Sequence, residues 1–403
     1  MTTGCPTRSF DVIVVGAGPA GAATALLLAR AGVAVALVDG ARFPRPKACA
    51  EYYSPGVVDA LERLGVWAQV AQLPHARPRG MELFGPGGGR HLLAYPNDPL
   101  PRRSLTVRRD VLDALLVEQA AQAGATVLTG LAVRDVLLEG ACAVGVRVQA
   151  PTRRDISARL VIGADGARSL VARRMHLAAP TRWPARLGLI AHYEGVDGLA
   201  DHGEMHLAPG VYCGLAPLGN NWVNVGCVLS SATARRLGSA DAIFRWMLSR
   251  LPAVADRLGP GRRSGPLRGS TPLAHRCARP YAAGALLVGD AAGFLDPFTG
   301  EGVFRALRGA ELAAGVTIQA LERGDVSAAA LAPYAALRRR TFAAKDRLCL
   351  LIQAFVAVPR LLDYAVPRLN GRREAAALAA ALGDYRPAGQ IMAPAMLWRL
   401  LAP

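Results

Sequence analysis

Apolar residues along this chain follow two rhythms. Phe10 to Val15 is a short β-branched run, the pattern of a strand buried on both faces. It ends in Gly16-Ala17-Gly18-Pro19-Ala20-Gly21, after which Ala22 to Ala31 predicts an alanine/leucine helix. Gly32 stops that helix, and Val33 to Val38 predicts a second buried strand ending at Asp39. Together these form one βαβ unit, which needs about 30 residues. Leu105 to Arg109 reads as a strand, Val111 to Ala123 as a helix stopped by Gly124, and Ala125 to Leu128 as the next strand. From Ala132 to Gln149 the alternation of valines predicts an antiparallel hairpin, and Leu160 to Ile162 another buried strand.

Between about Arg182 and Arg268 the rhythm changes to short alternating strands, Leu187–Tyr193, Glu204–Leu207, Val211–Leu215 and Trp222–Leu229, with a helix over Ala240–Leu251. Ala285 to Val288 returns to the buried-strand pattern, and a helix is expected from near Gly300. From Ser327 the chain reads as helical, with Pro359, Pro367, Pro387 and Pro394 dividing it into short helices.

Composition narrows the classes. At 52% hydrophobic and 19% charged over 403 residues, the chain has ample surface to bury and is not disordered. The formal net charge is +17, and every basic residue except Lys47 and Lys345 is an arginine. Such an excess points to nucleic acid, a membrane surface or an anionic ligand, or else to a solvated composition bias. No nucleic-acid reading motif accompanies it, so no nucleic-acid partner is expected. Arg338-Arg339-Arg340, Arg347, Arg360, Arg368 and Arg372-Arg373 gather in the C-terminal helices beside Leu348–Val358, Leu361–Leu362 and Met396-Leu397-Trp398. Such helices either cap the fold or touch a membrane peripherally. Cys5, Cys49, Cys142, Cys213, Cys227, Cys277 and Cys349 form no C-x-x-C pair, which favours free thiols. Met1 to Arg8 shows no signal-peptide pattern and no apolar run reaches membrane-spanning length. A cytoplasmic protein is expected.

Gly16-x-Gly18-x-x-Gly21 with Asp39 downstream carries the first chemistry. Gly16 permits the tight turn, Gly18 admits a pyrophosphate, Gly21 lets helix and strand pack, and Asp39 can accept from ribose hydroxyls. Residues 285–302, ALLVGDAAGFLDPFTGEG, put Asp290 at a strand end, where it can hold a second polyol. Pro297 and Gly300-Glu301-Gly302 then open a helix whose N-terminus suits negative charge on a reduced flavin. Residues 161–173, VIGADGARSLVAR, add Asp165-Gly166. His202, Glu204 and His206 would share one strand face, but with no further ligand cluster nearby no metal site is expected.

These three segments, in this order, resemble the FAD-dependent group of para-hydroxybenzoate hydroxylase, flavin halogenases and geranylgeranyl reductases, over about residues 10 to 320. Lys47-Ala48-Cys49-Ala50-Glu51 with Ser54-Pro55, and Pro297 to Gly302, look most like the geranylgeranyl-reductase branch. The resemblance implies an α/β fold: a Rossmann-like FAD-binding domain of the glutathione-reductase type, assembled in two layers, with a β-sheet-rich substrate domain and a C-terminal helical region. The FAD-binding domain is assigned to 1–80, 101–178 and 272–325, the substrate domain to 81–100 and 179–271, and the helical region to 326–403. By the same resemblance Arg109 contacts the FAD phosphate or ribityl region, Arg42 or Arg45 lies near the adenosine end, and Cys49 near the isoalloxazine face.

The cofactor-binding set is then Gly16, Gly18, Pro19, Ala20, Gly21, Asp39, Gly40, Arg45, Lys47, Cys49, Ala50, Arg109, Val133, Asp165, Gly289, Asp290, Pro297, Gly300, Glu301 and Gly302. Cys49 and Tyr212 are the catalytic candidates, with Tyr52 and Tyr53 as cleft residues. Two departures matter. The reductases' aromatic signature is reduced here to Tyr212 and Pro217, and the halogenases' tryptophan motif and lysine are missing. The expectation is a FAD-dependent oxidoreductase, with NAD(P)H as reductant, acting on a small hydrophobic molecule in a biosynthetic route. The eroded aromatic motif tilts the reading toward monooxygenation. Prenyl-chain alkene reduction and a redox-neutral cyclase remain the alternatives.

Overall fold

The computed structural model describes residues 10–97, 102–150, 152–181, 183–199 and 201–402. Cys5, the Met1 to Arg8 segment and Arg182 lie outside them.

The N-terminal unit forms as β1 (Phe10–Val15), α1 (Pro19–Arg30) and β2 (Val35–Asp39). Pro19 at the first helical position needs no amide partner and presets the helical φ. Two strands, β3 (Gly80–Phe84) and β4 (Arg90–Ala94), lead away before α2 (Arg109–Gln122) and β5 (Thr126–Thr129) return. The hairpin expected from the valine alternation forms as β6 (Ala132–Glu139) and β7 (Cys142–Ala150), followed by β8 (Thr152–Gly163). Four long strands then follow, β9 (Arg186–Glu194), β10 (Gly203–Ala208), β11 (Val211–Gly219) and β12 (Trp222–Ser230). Next come α3 (Ala240–Arg250), β13 (Arg262–Ser270), β14 (Ala285–Leu287) and α4 (Gly302–Glu322). The C-terminal helices are α5 (Pro333–Ala357), α6 (Pro359–Arg368), α7 (Arg373–Leu382) and α8 (Pro394–Leu401).

The first sheet has a parallel core β14-β8-β1-β2-β5 with β1 in the middle, extended by the short strand Tyr281–Ala282 antiparallel to β14 and by the β6–β7 hairpin on β8. Its strands are apolar on both faces because both are covered. Val12 and Val14 face α1, α2 and α4, whereas Ile13 and Val15 face the β6–β7 hairpin. The domain therefore has three layers, not the two expected; β8 is twelve residues long, and its first half carries the hairpin while its second half joins the parallel sheet. The second sheet runs β13-β9-β12-β11-β10-β3-β4. Leu189, Ala191, Cys213, Leu215, Val225 and Cys227 of one face bury against α3 and its neighbours. Each such leucine removed from water contributes about 1.5–3 kcal/mol.

Local boundaries differ from expectation in three places. The strand expected over Leu105 to Arg109 stops at Val107, and Arg109 opens α2, its amide held by Glu51. The helix expected near Gly300 starts at Gly302 because Gly300 sits in the left-handed region, φ +68°. Finally, α5 is one 25-residue helix, and Pro367 lies inside α6 near its C-terminus without ending it.

Candidate functional site

A cavity of about 600 Å³ lies where the C-terminal ends of β1, β2 and β14 meet the open face of the second sheet. Its floor is the glycine turn. Gly16 takes φ +99°, and a Cβ there would sit 2.6 Å from the Ala164 carbonyl oxygen. A Cβ on Gly21 would sit 1.8 Å from the Gly16 oxygen, so only glycine lets α1 seat on the strand end. Asp39 locks the turn: its Oδ2 accepts from the Ala17 amide at 2.8 Å and its Oδ1 from the Ala41 amide at 2.8 Å.

Gly18 faces two guanidiniums, since a Cβ placed there would lie 3.8 Å from Arg45 and 3.9 Å from Arg109. Arg109 is buried and clasps Asp113 through two hydrogen bonds, at 2.8 and 2.9 Å. Burial alone would lower its pKa, but the Asp113 carboxylate outweighs that and holds the arginine firmly charged. With the start of α1 beside them, these groups form a cradle for a pyrophosphate. Two carboxyls mark polar positions further along the wall. Burial pushes Asp290 above the ordinary range, opposed by Lys47 and Arg109. Burial likewise raises Asp165, whose Oδ2 caps the Leu170 and Val171 amides while its buried Oδ1 has no hydrogen-bond partner. A buried acceptor without a donor is a place that a ligand hydroxyl or a water could satisfy.

The opposite wall is apolar. Across the second sheet, Ile190 pairs with Gly226, Gly226 with Gly214, and Gly214 with Met205. One step along, Gly188 pairs with Val228 and Val228 with Tyr212. Those side chains line the cavity with Leu273 and Phe294. Gly226 lets the 47–51 loop lie across the sheet, because a Cβ there would stand 3.2 Å from that of Ala50.

Of the cofactor-binding set and the tyrosine and cysteine candidates, all but Gly21 and Glu301 line this cavity, and of the alternatives Arg42 and Arg45 only Arg45 does. Gly21 is a packing residue. Glu301 turns away: its carboxylate accepts from the Cys349 thiol at 2.9 Å and lies 3.8 Å from the ammonium of Lys345. Tyr212 presents its ring to the cavity while its hydroxyl donates to buried Asp296 at 2.6 Å, and Arg186 reaches the same carboxylate at 3.0 Å. Burial, reinforced by Asp296, raises the Tyr212 pKa far above its usual value. Burial also raises the Cys49 thiol, only partly opposed by Arg109, so Cys49 keeps its proton at neutral pH.

His202, Glu204 and His206 do not converge as the strand pattern allowed. Glu204 is taken by His206 at 2.7 Å and Arg257 at 2.6 Å, while His202 turns to Asp201 and Glu82. Glu82, His202 and Glu204 do bring ligand atoms within 4.8 Å of one another, but these side chains already pair with Arg90, Asp201 and Arg257.

Sequence reasoning missed Glu51. It is buried with φ +56°, and it accepts from the Arg109 amide at 2.8 Å and from Asn224 Nδ2 at 2.9 Å. His192 Nε2 lies 2.7 Å from its Oε2. Nothing in the segment KACAE signals a strained acid; only the fold brings β9 and β12 beneath it. Glu51 also walls a second cavity of about 260 Å³, shared with Lys47 and lined by Arg108, Asp110, His192, Trp222 and Arg268.

The FAD binding domain family matches residues 9–205. Digeranylgeranylglycerophospholipid reductase 1 of Methanopyrus kandleri is 33% identical over 336 residues, covering 81% of this chain and 84% of that protein. Menaquinone reductase of Mycobacterium tuberculosis is 31% identical over 369 residues, covering 89% and 87%. A geranylgeranyl bacteriochlorophyll reductase-like structure from Thermoplasma acidophilum superposes with TM-score 0.80 at 24% identity, covering 95% of this chain and 98% of that one.

Proposed function

We propose, since this chain belongs to the FAD-binding oxidoreductase family of the geranylgeranyl-type and menaquinone reductases, that it reduces a carbon–carbon double bond in a long apolar, prenyl-like chain. The observation that carries this reading is the cavity itself: a polar dinucleotide cradle on one wall and an apolar, glycine-thinned sheet face on the other. FAD fits the cradle, where the unpartnered Asp165 Oδ1, Asp290 and the Gly18–Arg45–Arg109 corner offer the polar contacts its polyol and phosphates need. When bound, its ring supplies a two-electron donor to the substrate side.

The chain's own residues supply the rest. Ile190, Met205, Val228 and Leu273 exclude water and hold an apolar chain against the ring's position. Alkene reduction adds two hydrogens, and one of them must arrive as a proton. Tyr212 has its proton committed to Asp296, and we assign the delivery of the incoming proton to the Cys49 thiol, which stays protonated on the cavity wall. The relatives favour reduction over the oxygenation that the eroded aromatic motif suggested. NAD(P)H is the reductant we assign, and Lys47, Arg108 and Arg268 around the second cavity offer cations for its phosphates.

The test is anaerobic turnover of the flavin-loaded protein with NADH or NADPH and a geranylgeranyl-chain lipid, read by mass spectrometry. A product that has gained two hydrogens per reduced bond is expected without oxygen. A product that forms only with oxygen and carries an added oxygen atom overturns the reading.

A further inference from the structure

We propose that the bend between α5 and α6 is a docking tip that seats on an anionic phospholipid surface and delivers the apolar chain from it to the cavity. The delivery step rests on the alkene-reductase reading; the docking itself does not.

The two helices meet at 114°, with Pro359 opening α6. The inner side of the bend packs behind the cavity wall: Phe355, Val356 and Leu362 share one apolar cluster with Met205, Tyr212, Val228 and Leu273, all four of which line the cavity. A helix packed on protein by one face ordinarily shows a polar face to water. Here the outer side is apolar too. Leu350, Ala354 and Ala357 follow at helical spacing and are exposed. Val358 at the bend is 45% exposed and Leu361, in the first turn of α6, 39%. Tyr364 adds to this face, and α8, which packs on α6, carries Trp398 at 69% exposure.

Charge selects the occupant. Arg347, Arg360 and Arg399 are exposed among these residues. Of the nearby acids, Asp346 is neutralised by Arg305 at 2.6 Å, while Asp363 accepts from the Gly87 amide at 2.6 Å and keeps its charge, so three exposed arginines stand against one carboxylate. Arginines bordering an apolar face with an exposed tryptophan match the headgroup region of an anionic bilayer. No single helix among the described residues is long and apolar enough to cross a membrane; α5 and α6 reach that length and apolarity only as a pair bent by 114°, and the exposed arginines along both place the bend at the headgroup level. In this proposal a long apolar chain leaving the bilayer there meets Phe355 and Leu362 first and then the apolar residues of the cavity wall packed against them.

The experiment uses the full, flavin-loaded chain with sucrose-loaded vesicles of phosphatidylglycerol and phosphatidylcholine, against phosphatidylcholine alone. Wild type should sediment with the anionic vesicles and be released by salt. The double variant Val358→Asp, Leu361→Asp should bind at least about tenfold more weakly, with unchanged flavin content and thermal midpoint. The proposal is overturned if wild type stays in the supernatant, if the variant binds equally, or if the wild-type chain is a dimer that the variant turns into a monomer. A second arm separates the two readings. Detergent-dispersed substrate should be reduced equally by both proteins, and bilayer-embedded substrate only by wild type. Binding to vesicles with no reduction of either substrate form would sink the reductase reading and leave the docking tip standing.

Discussion

Cys49 and Glu204 show how burial and partners divide the work among single residues. With its thiol pKa raised by burial, Cys49 should react with iodoacetamide at pH 8 far more slowly than a free cysteine. Cys49→Ala should lower the rate of alkene reduction by about 10²-fold or more while leaving flavin binding intact, as measured by single-turnover reoxidation and flavin absorbance. In Glu204 burial works to raise the carboxyl, but His206 and Arg257 outweigh it and hold the folded value below 4.5. Its contribution to stability is therefore complete above the unfolded value of about 4.3 and is lost as pH falls through the lower folded one. Glu204→Gln should cost about 2 kcal/mol at pH 7, and its thermal midpoint should converge on that of wild type as pH falls through the lowered folded value of Glu204. A gap that persists at low pH would show that packing, not charge, is what Glu204 supplies.

At the scale of elements, the βαβ unit was legible because its constraint is local. A strand apolar on both faces, a turn needing Gly16 and a helix needing Gly21 all fall within adjacent residues. Gly21→Ala should drive α1 from its seat, costing about 2–3 kcal/mol and most of the flavin affinity, read together by melting with and without added FAD. Four of the seven strands of the second sheet were visible in their alternation, and so was the hairpin; β3, β4 and β13, whose mostly exposed and half-buried positions give no clean alternation, were not. Glu301 was misplaced because its neighbours suggested a helix start aimed at the ligand. Its carboxylate instead answers Lys345 and Cys349, forty-odd residues further on, where no local pattern reaches. Glu51 escaped notice for the same reason, since its partners His192 and Asn224 sit on strands that only tertiary folding brings close.

For the whole molecule, the opening charge of +17 has no single destination. Arg45 and Arg109 hold the cradle, Arg108 and Arg268 border the second cavity, and Arg347 and Arg360 flank the bend. One feature of the first sheet governs something else, the order in which the protein can come into being. β1 pairs on one side with β2, made almost at once, and on the other with β8, whose partner strand β14 ends at Leu287. Gly289 and Asp290 therefore reach the cavity only when nearly three-quarters of the chain has been synthesised. Until then the edge of β8 is open in a nascent chain already carrying buried-type strands, the kind of edge that invites misassembly. Such long-range closure makes folding slow, and a ligand lodged along the cavity from Gly18 to Asp290 would clamp an early-made part of the domain to a late-made one.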